Sequence, residues 1–310
     1  MITTGRSRIG SFWRPSQCAW AGPVAAAALL AGAGPPALVS GQSVEPEPIW
    51  FESHGDTVRG VFYRSPDAGL QPLLLHFHGF PGGTGDALGI GAAANAAGWN
   101  VMMFSPRGMH HSGGTFSFTN TLEDVDASLV FLRRERERLG ITDGAVAVTG
   151  WSFGGWVALM AGMHRSEVGC VGAIAPANMG YVGRRARIDV TFLSGGRYLV
   201  EPAMRAGTVR SDWDAYITEL LANSDEFDTI RRAGELRDKP VLVVGGWRDS
   251  GPVLEDWIAP LVRALRGAGN ERVTPVVLDD DHGFGESRDR LHATVVSWLE
   301  QECVRAPRGG

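Results

Sequence analysis

The chain has 310 residues, of which 44% are hydrophobic and 20% are charged, and its formal net charge at pH 7 is −5. This length and composition suit one large α/β domain with a buried core. The negative net charge provides no electrostatic basis for binding nucleic acid, so we exclude nucleic acid as a partner.

The N-terminal segment differs in character from the rest of the chain. Three arginines precede an alanine-rich apolar run over 19–30, and small residues and then polar residues follow. This pattern is typical of a secretory signal peptide, and the apolar run is too short to predict a membrane span. We expect a signal peptide over 1–41, a linker over 42–48 and a secreted or periplasmic protein with no membrane span after cleavage. An uncleaved anchor and a start codon assigned too far upstream are the alternatives.

Beyond the linker, apolar runs alternate with segments of helical periodicity. The first two runs, 49–51 and 57–63, alternate apolar and polar residues, which is typical of an antiparallel start to a sheet. The later runs are almost continuously apolar, as expected of strands buried on both faces. They cover 73–78, 100–104, 145–149, 168–175, 240–246 and 273–278. The predicted helices cover 87–98, 122–139, 156–164, 253–265 and 287–303, and Asn120 or Thr121 is the predicted cap of the second.

This alternation predicts an α/β fold with a doubly wound, mostly parallel sheet over 49–303. Residues 177–237 interrupt it, with helical periodicity over 213–221 and 226–236 and no convincing pair of strands. We expect a helical cap over about 177–237, above the strand ends where ligands bind in such sheets.

Two cysteines, Cys170 and Cys303, lie in this domain. They are isolated in the sequence, so they predict neither a disulfide framework nor a catalytic thiol.

A Gly-x-Ser-x-Gly motif, Gly150 to Gly154, joins the predicted strand 145–149 to the helix after it. A strand, a sharp turn and a helix are the context in which this motif forms a nucleophile elbow. The turn projects the Ser152 hydroxyl above the strand ends, and the helix N-terminus directs the Phe153 N–H towards an oxyanion formed on that serine. Ser152 is therefore the predicted nucleophile, and Phe153 is one predicted oxyanion donor.

A serine nucleophile needs a base and a carboxylate that orients the base. Asp249 lies in the loop after the seventh predicted strand and His282 in the loop after the eighth. Their order in the chain, acid and then histidine, is the one that accompanies this elbow. We predict Asp249 as the acid and His282 as the base, with the aspartates at 279–281 as alternative acids and His292 as the alternative base.

The loop after the third predicted strand reads His78-Gly79-Phe80-Pro81-Gly82. We predict the Phe80 N–H as the second oxyanion donor, with His78 bracing the loop. The glycine-rich stretch that continues to Gly85 lacks the Lys-Ser/Thr ending of a phosphate-binding loop. The histidines of the chain follow no ligand spacing typical of zinc, so we expect neither a cofactor nor a metal.

These motifs resemble those of the α/β-hydrolase superfamily, and the likeness extends over 49–302. The segment 78–82 looks like the oxyanion loop of that family. The segment 104–108, followed by Ser112-Gly113-Gly114, looks like its Arg-Gly-x-Gly-x-Ser loop.

The elbow over 150–155 is similar to that of the prolyl-oligopeptidase and dipeptidyl-aminopeptidase branch. The chain departs from that branch because its 48 N-terminal residues are too few for a β-propeller. The resemblance implies Ser152 as nucleophile, Asp249 as acid and His282 as base.

Together these features predict a serine hydrolase that cleaves small-molecule carboxylic esters through an acyl-enzyme. A serine peptidase of the aminopeptidase type, acting on short peptides with the same triad, is the alternative. It would need a cap residue to hold a substrate ammonium, and the candidates are Glu201, Asp212 and Asp214. A non-catalytic binding protein built on this fold is the remote alternative.

Overall fold

The computed structural model describes residues 45–303, which form an eight-stranded sheet covered by helices on both faces. The strands are β1 Glu47–Ser53, β2 Asp56–Tyr63, β3 Leu73–Phe77, β4 Asn100–Ser105, β5 Val146–Trp151, β6 Val168–Ile174, β7 Val241–Gly246 and β8 Val273–Leu278. The helices are α1 Ile90–Ala96, α2 Phe118–Arg134, α3 Arg136–Leu139, α4 Phe153–His164, α5 Met179–Ile188, α6 Val190–Arg205, α7 Trp213–Ala222, α8 Ala259–Gly267 and α9 Arg288–Trp298.

The strand order in the sheet is β1-β2-β4-β3-β5-β6-β7-β8. The pairs β1–β2 and β2–β4 are antiparallel, and the pairs from β4–β3 to β7–β8 are parallel. The predicted α/β fold with a mostly parallel sheet is therefore confirmed, as is its antiparallel start. The loops that follow β3, β5, β7 and β8 all leave from the same edge of the sheet, because these strands run in the same direction.

Two hydrophobic cores lie on opposite faces of the sheet and account for the continuous apolar strands. In β3, Leu73, Leu75 and Phe77 belong to the core under α2, α4 and α8, while Leu74 belongs to the core under α1 and α9. Successive side chains of a strand point to opposite faces, so a strand covered on both faces is apolar at every position.

His76 is the polar exception within β3, and it is fully buried. Its Nε2 lies 3.2 Å from the Ala87 carbonyl, which can only accept, so Nε2 carries the proton. Its Nδ1 then accepts from the Thr149 hydroxyl at 2.8 Å. Burial lowers the pKa of His76 from 6.5 to about 4, and contacts with the backbone of Ala87 and Thr149 oppose that shift only in part.

The segment between β6 and β7 is helical, as predicted for the cap, and contains α5, α6 and α7. The predicted helix over 226–236 is wrong in most of its length, because only Ala233–Leu236 forms a short 3-10 helix. The side chain of Asp228 accepts from the Ile230 N–H at 3.0 Å. Such local bonds favour a turn over a helix, which explains the difference.

Helix α2 begins before its predicted cap at Asn120 or Thr121. The actual cap is Ser117, whose hydroxyl accepts from the Asn120 N–H at 2.9 Å. A serine ranks with the best N-cap residues, so the capping bond moves the helix start upstream.

The two cysteines of the domain are paired, although their isolated positions in the sequence predict no disulfide framework. Cys170 on β6 and Cys303 form a disulfide across 133 residues of sequence. The pairing arises because the end of the chain packs against the same core as β6, where Leu299 is buried. Two isolated cysteines form no spacing pattern in the sequence, so their bond can be recognised only from the structure.

The predicted signal peptide, residues 1–41, lies outside the described residues. Within residues 45–303, no helix has both the length and the apolar character that crossing a membrane requires.

We expect acid to destabilise the fold between about pH 6.5 and pH 4, partly through His76. The unfolded chain binds a proton on this histidine below its ordinary pKa, whereas the folded chain binds one only below its lowered pKa. Stability is therefore lost as pH falls through this window, by up to about 3 kcal/mol for a shift of this size. Urea unfolding at several pH values should show the loss, and His76→Gln should make the dependence on pH shallower.

Thr149→Val is the matched control. It removes a hydrogen-bond partner of His76 but keeps the imidazole. The free energy of unfolding should therefore be lower at every pH, while its dependence on pH stays as steep as in the unchanged protein. If the free energy of unfolding depended on pH equally steeply in His76→Gln, the acid sensitivity could not be attributed to His76.

Candidate active site

Ser152 sits at the sharp turn between β5 and α4. Its backbone angles, φ 58° and ψ −117°, lie in a region that side-chain-bearing residues rarely adopt. A Cβ on Gly150 would lie 2.0 Å from the Gly154 carbonyl oxygen, and a Cβ on Gly154 would lie 2.2 Å from that of Phe77. The motif glycines therefore permit a crossing that larger residues would prevent.

Hydrogen bonds to β6 and the chain after it hold this strained turn in place. The Ser152 N–H donates to the Ile174 carbonyl at 2.9 Å, and the Ala177 N–H donates to the Ser152 carbonyl at 2.9 Å. Strained residues persist only where their surroundings over-determine them, and these bonds fix the serine on both sides.

His282 and Asp249 meet at the same edge of the sheet. The Nδ1 atom of His282 lies 2.7 Å from an Asp249 carboxylate oxygen, and the Gly251 N–H donates to the other oxygen at 2.8 Å. The Asp249 side chain is fully buried, whereas that of His282 is 34% exposed. The buried carboxylate thus restrains a partly exposed imidazole through its Nδ1 atom.

The alternative residues from the sequence have other partners. Asp280 accepts from the Ser287 N–H at 2.6 Å, and Asp281 accepts from the Gly283 N–H at 2.8 Å. The Asp279 side chain is 80% exposed. His292 donates from Nε2 to the Leu88 carbonyl at 2.7 Å. The two bonded aspartates shape the loop that carries His282, and His292 fastens α9 to the chain before α1.

The loop after β3 lies directly against the serine. A Cβ on Gly79 would come within 3.2 Å of the Ser152 Cβ atom. The Gly82 N–H donates to the Gly79 carbonyl at 2.7 Å, so the loop turns tightly here.

Phe80 and Phe153 flank Ser152 from two sides. Their rings meet edge to face with centroids 6.4 Å apart. Phe153 is the first residue of α4, and the first N–H groups of a helix have no partner within that helix. The arrangement leaves a backbone donor and a positive helix end beside the serine.

His78 is packed beneath the loop after β3. The Cβ of an alanine at Gly83 would lie 2.5 Å from His78 Nδ1, so the ring fills the space under this stretch. Burial lowers the pKa of His78 to about 4, and contacts with Asp86 and the backbone of Gly85 oppose that shift only in part. The ring is therefore neutral near pH 7, and it supports the loop by packing against it.

A buried ion pair fixes the loop after β4. Both the backbone N–H and the Nε of Arg107 donate to Asp124 at 2.6 Å, and both side chains are nearly inaccessible. Removing Arg107 would leave the buried Asp124 carboxylate without its cationic partner. The pair ties this loop to α2, and that loop in turn contacts the cap.

Two charged residues of the cap anchor it to the rest of the domain. The carboxylate of Glu219 accepts from the Phe118 and Thr119 N–H groups at 2.8 Å each, at the N-terminus of α2. The Arg210 backbone N–H donates to the Gly108 carbonyl at 2.7 Å, and its guanidinium donates to loop carbonyls nearby. A carboxylate at a helix N-terminus is favourable, so this contact also stabilises α2.

Aromatic rings join the cap to the site. Tyr216 of α7 contacts the rings of Phe80, Phe116 and Phe118, with centroid distances of 4.9–6.3 Å. Desolvation raises the pKa of the Tyr216 hydroxyl, which stays protonated. Phe116, Phe118 and Tyr216 are buried, and the partly buried Phe80 packs against them.

Several residues of the site carry no signal that sequence reasoning could use. Glu219 and Arg210 lie in the cap, where no motif marks them. Trp151, which precedes the serine, donates from its indole N–H to the His282 carbonyl at 2.9 Å. The spacing of 131 residues between these two partners follows no pattern.

The fold is similar to that of three solved hydrolases. The acylaminoacyl peptidase of Pyrococcus horikoshii has a TM-score of 0.66 and 15% identity, over 87% of this chain and 44% of that one. The esterase Pf2001 of Pyrococcus furiosus has a TM-score of 0.61 and 17% identity, over 84% and 92%. Est1E of Butyrivibrio proteoclasticus has a TM-score of 0.63 and 15% identity, over 83% and 99%.

This chain spans less than half the length of the peptidase but nearly the whole of each esterase. No curated protein sequence matches it. A sequence profile described as the Alpha/beta hydrolase family matches residues 73–294, from β3 into α9 and more than half of the chain. The chain therefore belongs to the alpha/beta hydrolase family.

Proposed function

We propose that this hydrolase cleaves carboxylic esters with Ser152 as nucleophile, His282 as base and Asp249 as the orienting acid. The observation that carries the proposal is the 2.7 Å contact between His282 Nδ1 and the buried Asp249, at the sheet edge where the elbow presents Ser152. A neutral imidazole that donates from Nδ1 has an accepting Nε2, as a base needs.

In the proposed reaction, Nε2 of His282 accepts the Ser152 proton while the serine oxygen attacks the ester carbonyl. The Phe80 and Phe153 N–H groups stabilise the oxyanion of the tetrahedral intermediate. Its collapse transfers the proton from His282 to the departing alcohol and leaves an acyl group on Ser152. His282 then removes a proton from water, which attacks the acyl-enzyme and releases the acid.

The cap favours esters over aminopeptidase substrates. An aminopeptidase needs a free carboxylate for the substrate ammonium, and two candidates are already engaged. Glu201 pairs with Arg197 and Arg205 at 2.7 and 2.8 Å. Asp212 caps α7 by accepting from the Ala215 N–H at 2.8 Å.

The partly exposed ring of Phe80 supports an ester with an apolar part. Phe80 also carries a proposed oxyanion donor, so an apolar group of a bound ester would lie against this ring. Est1E has been solved with ferulic acid bound, which makes aromatic acids a reasonable class to include in a test.

We also propose that the protein is exported to an oxidising compartment. The predicted signal peptide and the Cys170–Cys303 disulfide support this, because disulfides persist outside the reducing cytosol. Fractionation of the native host should recover the protein outside the cytosol, shortened by about 41 residues and unreactive to a thiol reagent until it is reduced. A full-length cytosolic protein with two free thiols in the domain would contradict export.

We expect the purified protein to hydrolyse p-nitrophenyl esters, tested as a series of increasing acyl length with an aromatic-acid ester beside it. Aminoacyl anilides should be much poorer substrates, since Glu201 and Asp212, two of the three candidate cap carboxylates, are already engaged. Ser152→Ala should lower kcat/KM by a factor of about 10³ or more and should prevent labelling by a fluorophosphonate.

Circular dichroism of Ser152→Ala should match the unchanged protein, which separates lost chemistry from lost folding. Preference for the anilides would favour the peptidase alternative. A folded protein that neither turns over esters nor takes the fluorophosphonate label would favour the binding-protein alternative.

Asp249→Asn should lower kcat by a factor of about 10² to 10⁴, because an amide cannot hold the imidazole in the required tautomer. Asp281→Asn is the matched control, since Asp281 lies next to His282 but accepts a backbone N–H within its own loop. It should change kcat by only a few-fold. Both variants are compared by steady-state kinetics with one ester. A large loss of kcat in Asp281→Asn and a small one in Asp249→Asn would identify Asp281 as the acid.

A further inference from the structure

We propose that Trp151 is a positioning residue, which holds His282 in register with Asp249 and braces the loop after β3. This inference rests on the proposed ester hydrolase function, because it assigns Trp151 to the same site. It draws on three separate contacts of one side chain.

The first contact is a hydrogen bond to the backbone of the proposed base. The indole N–H of Trp151 donates to the His282 carbonyl at 2.9 Å. Trp151 is the last residue of β5, and its backbone is fixed by pairing with Ile174 of β6. Because β6 and β7 lie between β5 and β8, the loop that follows β8 extends back towards the end of β5 to make this contact.

The second contact is between the two rings. The Trp151 and His282 rings have centroids 5.1 Å apart and planes inclined at 38°. The hydrogen bond limits where the His282 backbone lies, and the ring contact limits how the imidazole turns. Both restraints act on the residue whose Nδ1 must stay within 2.7 Å of Asp249.

The third contact is with Gly79 on the opposite side of the indole. A Cβ at Gly79 would lie 2.8 Å from the Cε3 atom of Trp151, so the glycine backbone lies against the ring face or edge without room for a side chain. Trp151 thus touches the histidine loop and the loop after β3 at once, while its own backbone leads into the serine.

Other contacts of the histidine loop act on its flanks. Asp280 accepts from Ser287, the Arg248 N–H donates to the Asp280 carbonyl at 2.8 Å, and Phe284 is fully buried in the core. These contacts fix the loop before and after His282. The bond from Trp151 acts on His282 itself, which is why its loss should affect the base more than the fold.

Trp151→Phe tests this role because phenylalanine keeps an aromatic ring and loses the N–H. We expect kcat for a p-nitrophenyl ester to fall about 5- to 10-fold with KM unchanged, as for the loss of one hydrogen bond that matters in the transition state. In NMR spectra, the Nδ1 proton of His282 should exchange with water several-fold faster than in the unchanged protein.

Trp156→Phe is the matched control. Trp156 of α4 also donates from its indole N–H to a backbone carbonyl, that of Phe227, at 3.0 Å. This bond points to the cap, so its loss should lower thermal stability while kcat and the Nδ1 exchange rate of His282 stay within about two-fold. An equal loss of kcat in both variants would attribute the effect to general packing and overturn the proposal.

The outcomes also separate this inference from the proposed function. If the unchanged protein turns over esters and Trp151→Phe retains its kcat and its slow Nδ1 exchange, only the role of Trp151 is refuted. If the unchanged protein neither turns over esters nor takes the fluorophosphonate label, the proposed function fails. In that case, the comparison of Nδ1 proton exchange between Trp151→Phe and the unchanged protein is the remaining test of whether Trp151 positions His282.

Discussion

Backbone crowding where β5 passes into α4 is the constraint on which the rest of the site depends. The carbonyls of Phe77 and Gly154 occupy the space that side chains at Gly154 and Gly150 would need. This close approach brings the end of β3 and the start of α4 together around Ser152. The strained serine, the neighbouring helix N-terminus and the adjoining loop are consequences of one tight crossing.

The cap is joined to the rest of the domain by polar contacts in one place and by aromatic packing in another. Glu219 and Arg210 make directional polar contacts with α2 and with the loop after β4, and so define where the cap lies. Tyr216 adds apolar contact area against Phe80. Because Phe80 lies in the loop beside the serine, the packing of the cap and the shape of the site are coupled.

The sheet could be predicted from the sequence because its signals are local. Apolar runs of five to eight residues, separated by segments of helical periodicity, determine the strands. The direction of parallel strands determines which loops share an edge. That rule brought Asp249 and His282 to neighbouring positions, although their catalytic roles stay predictions. Trp151 and the Cys170–Cys303 pair act across 131 and 133 residues, and no local pattern encodes contacts of that range. The helix predicted over 226–236 from its apolar periodicity does not form in most of its length, because the Asp228 side chain accepts from the Ile230 N–H and stabilises a turn.

The disulfide has a consequence for the mobility of the C-terminal helix. Chain ends usually fray first, and opening of such segments costs little free energy. Here Cys303 is bonded to a central strand, so the segment after α9 cannot peel away while the sheet is intact. His292 of the same helix donates to the Leu88 carbonyl, just before α1. The disulfide at Cys303 and the hydrogen bond of His292 therefore hold α9 at both of its neighbours, β6 and the chain that leads out of the loop beside the serine.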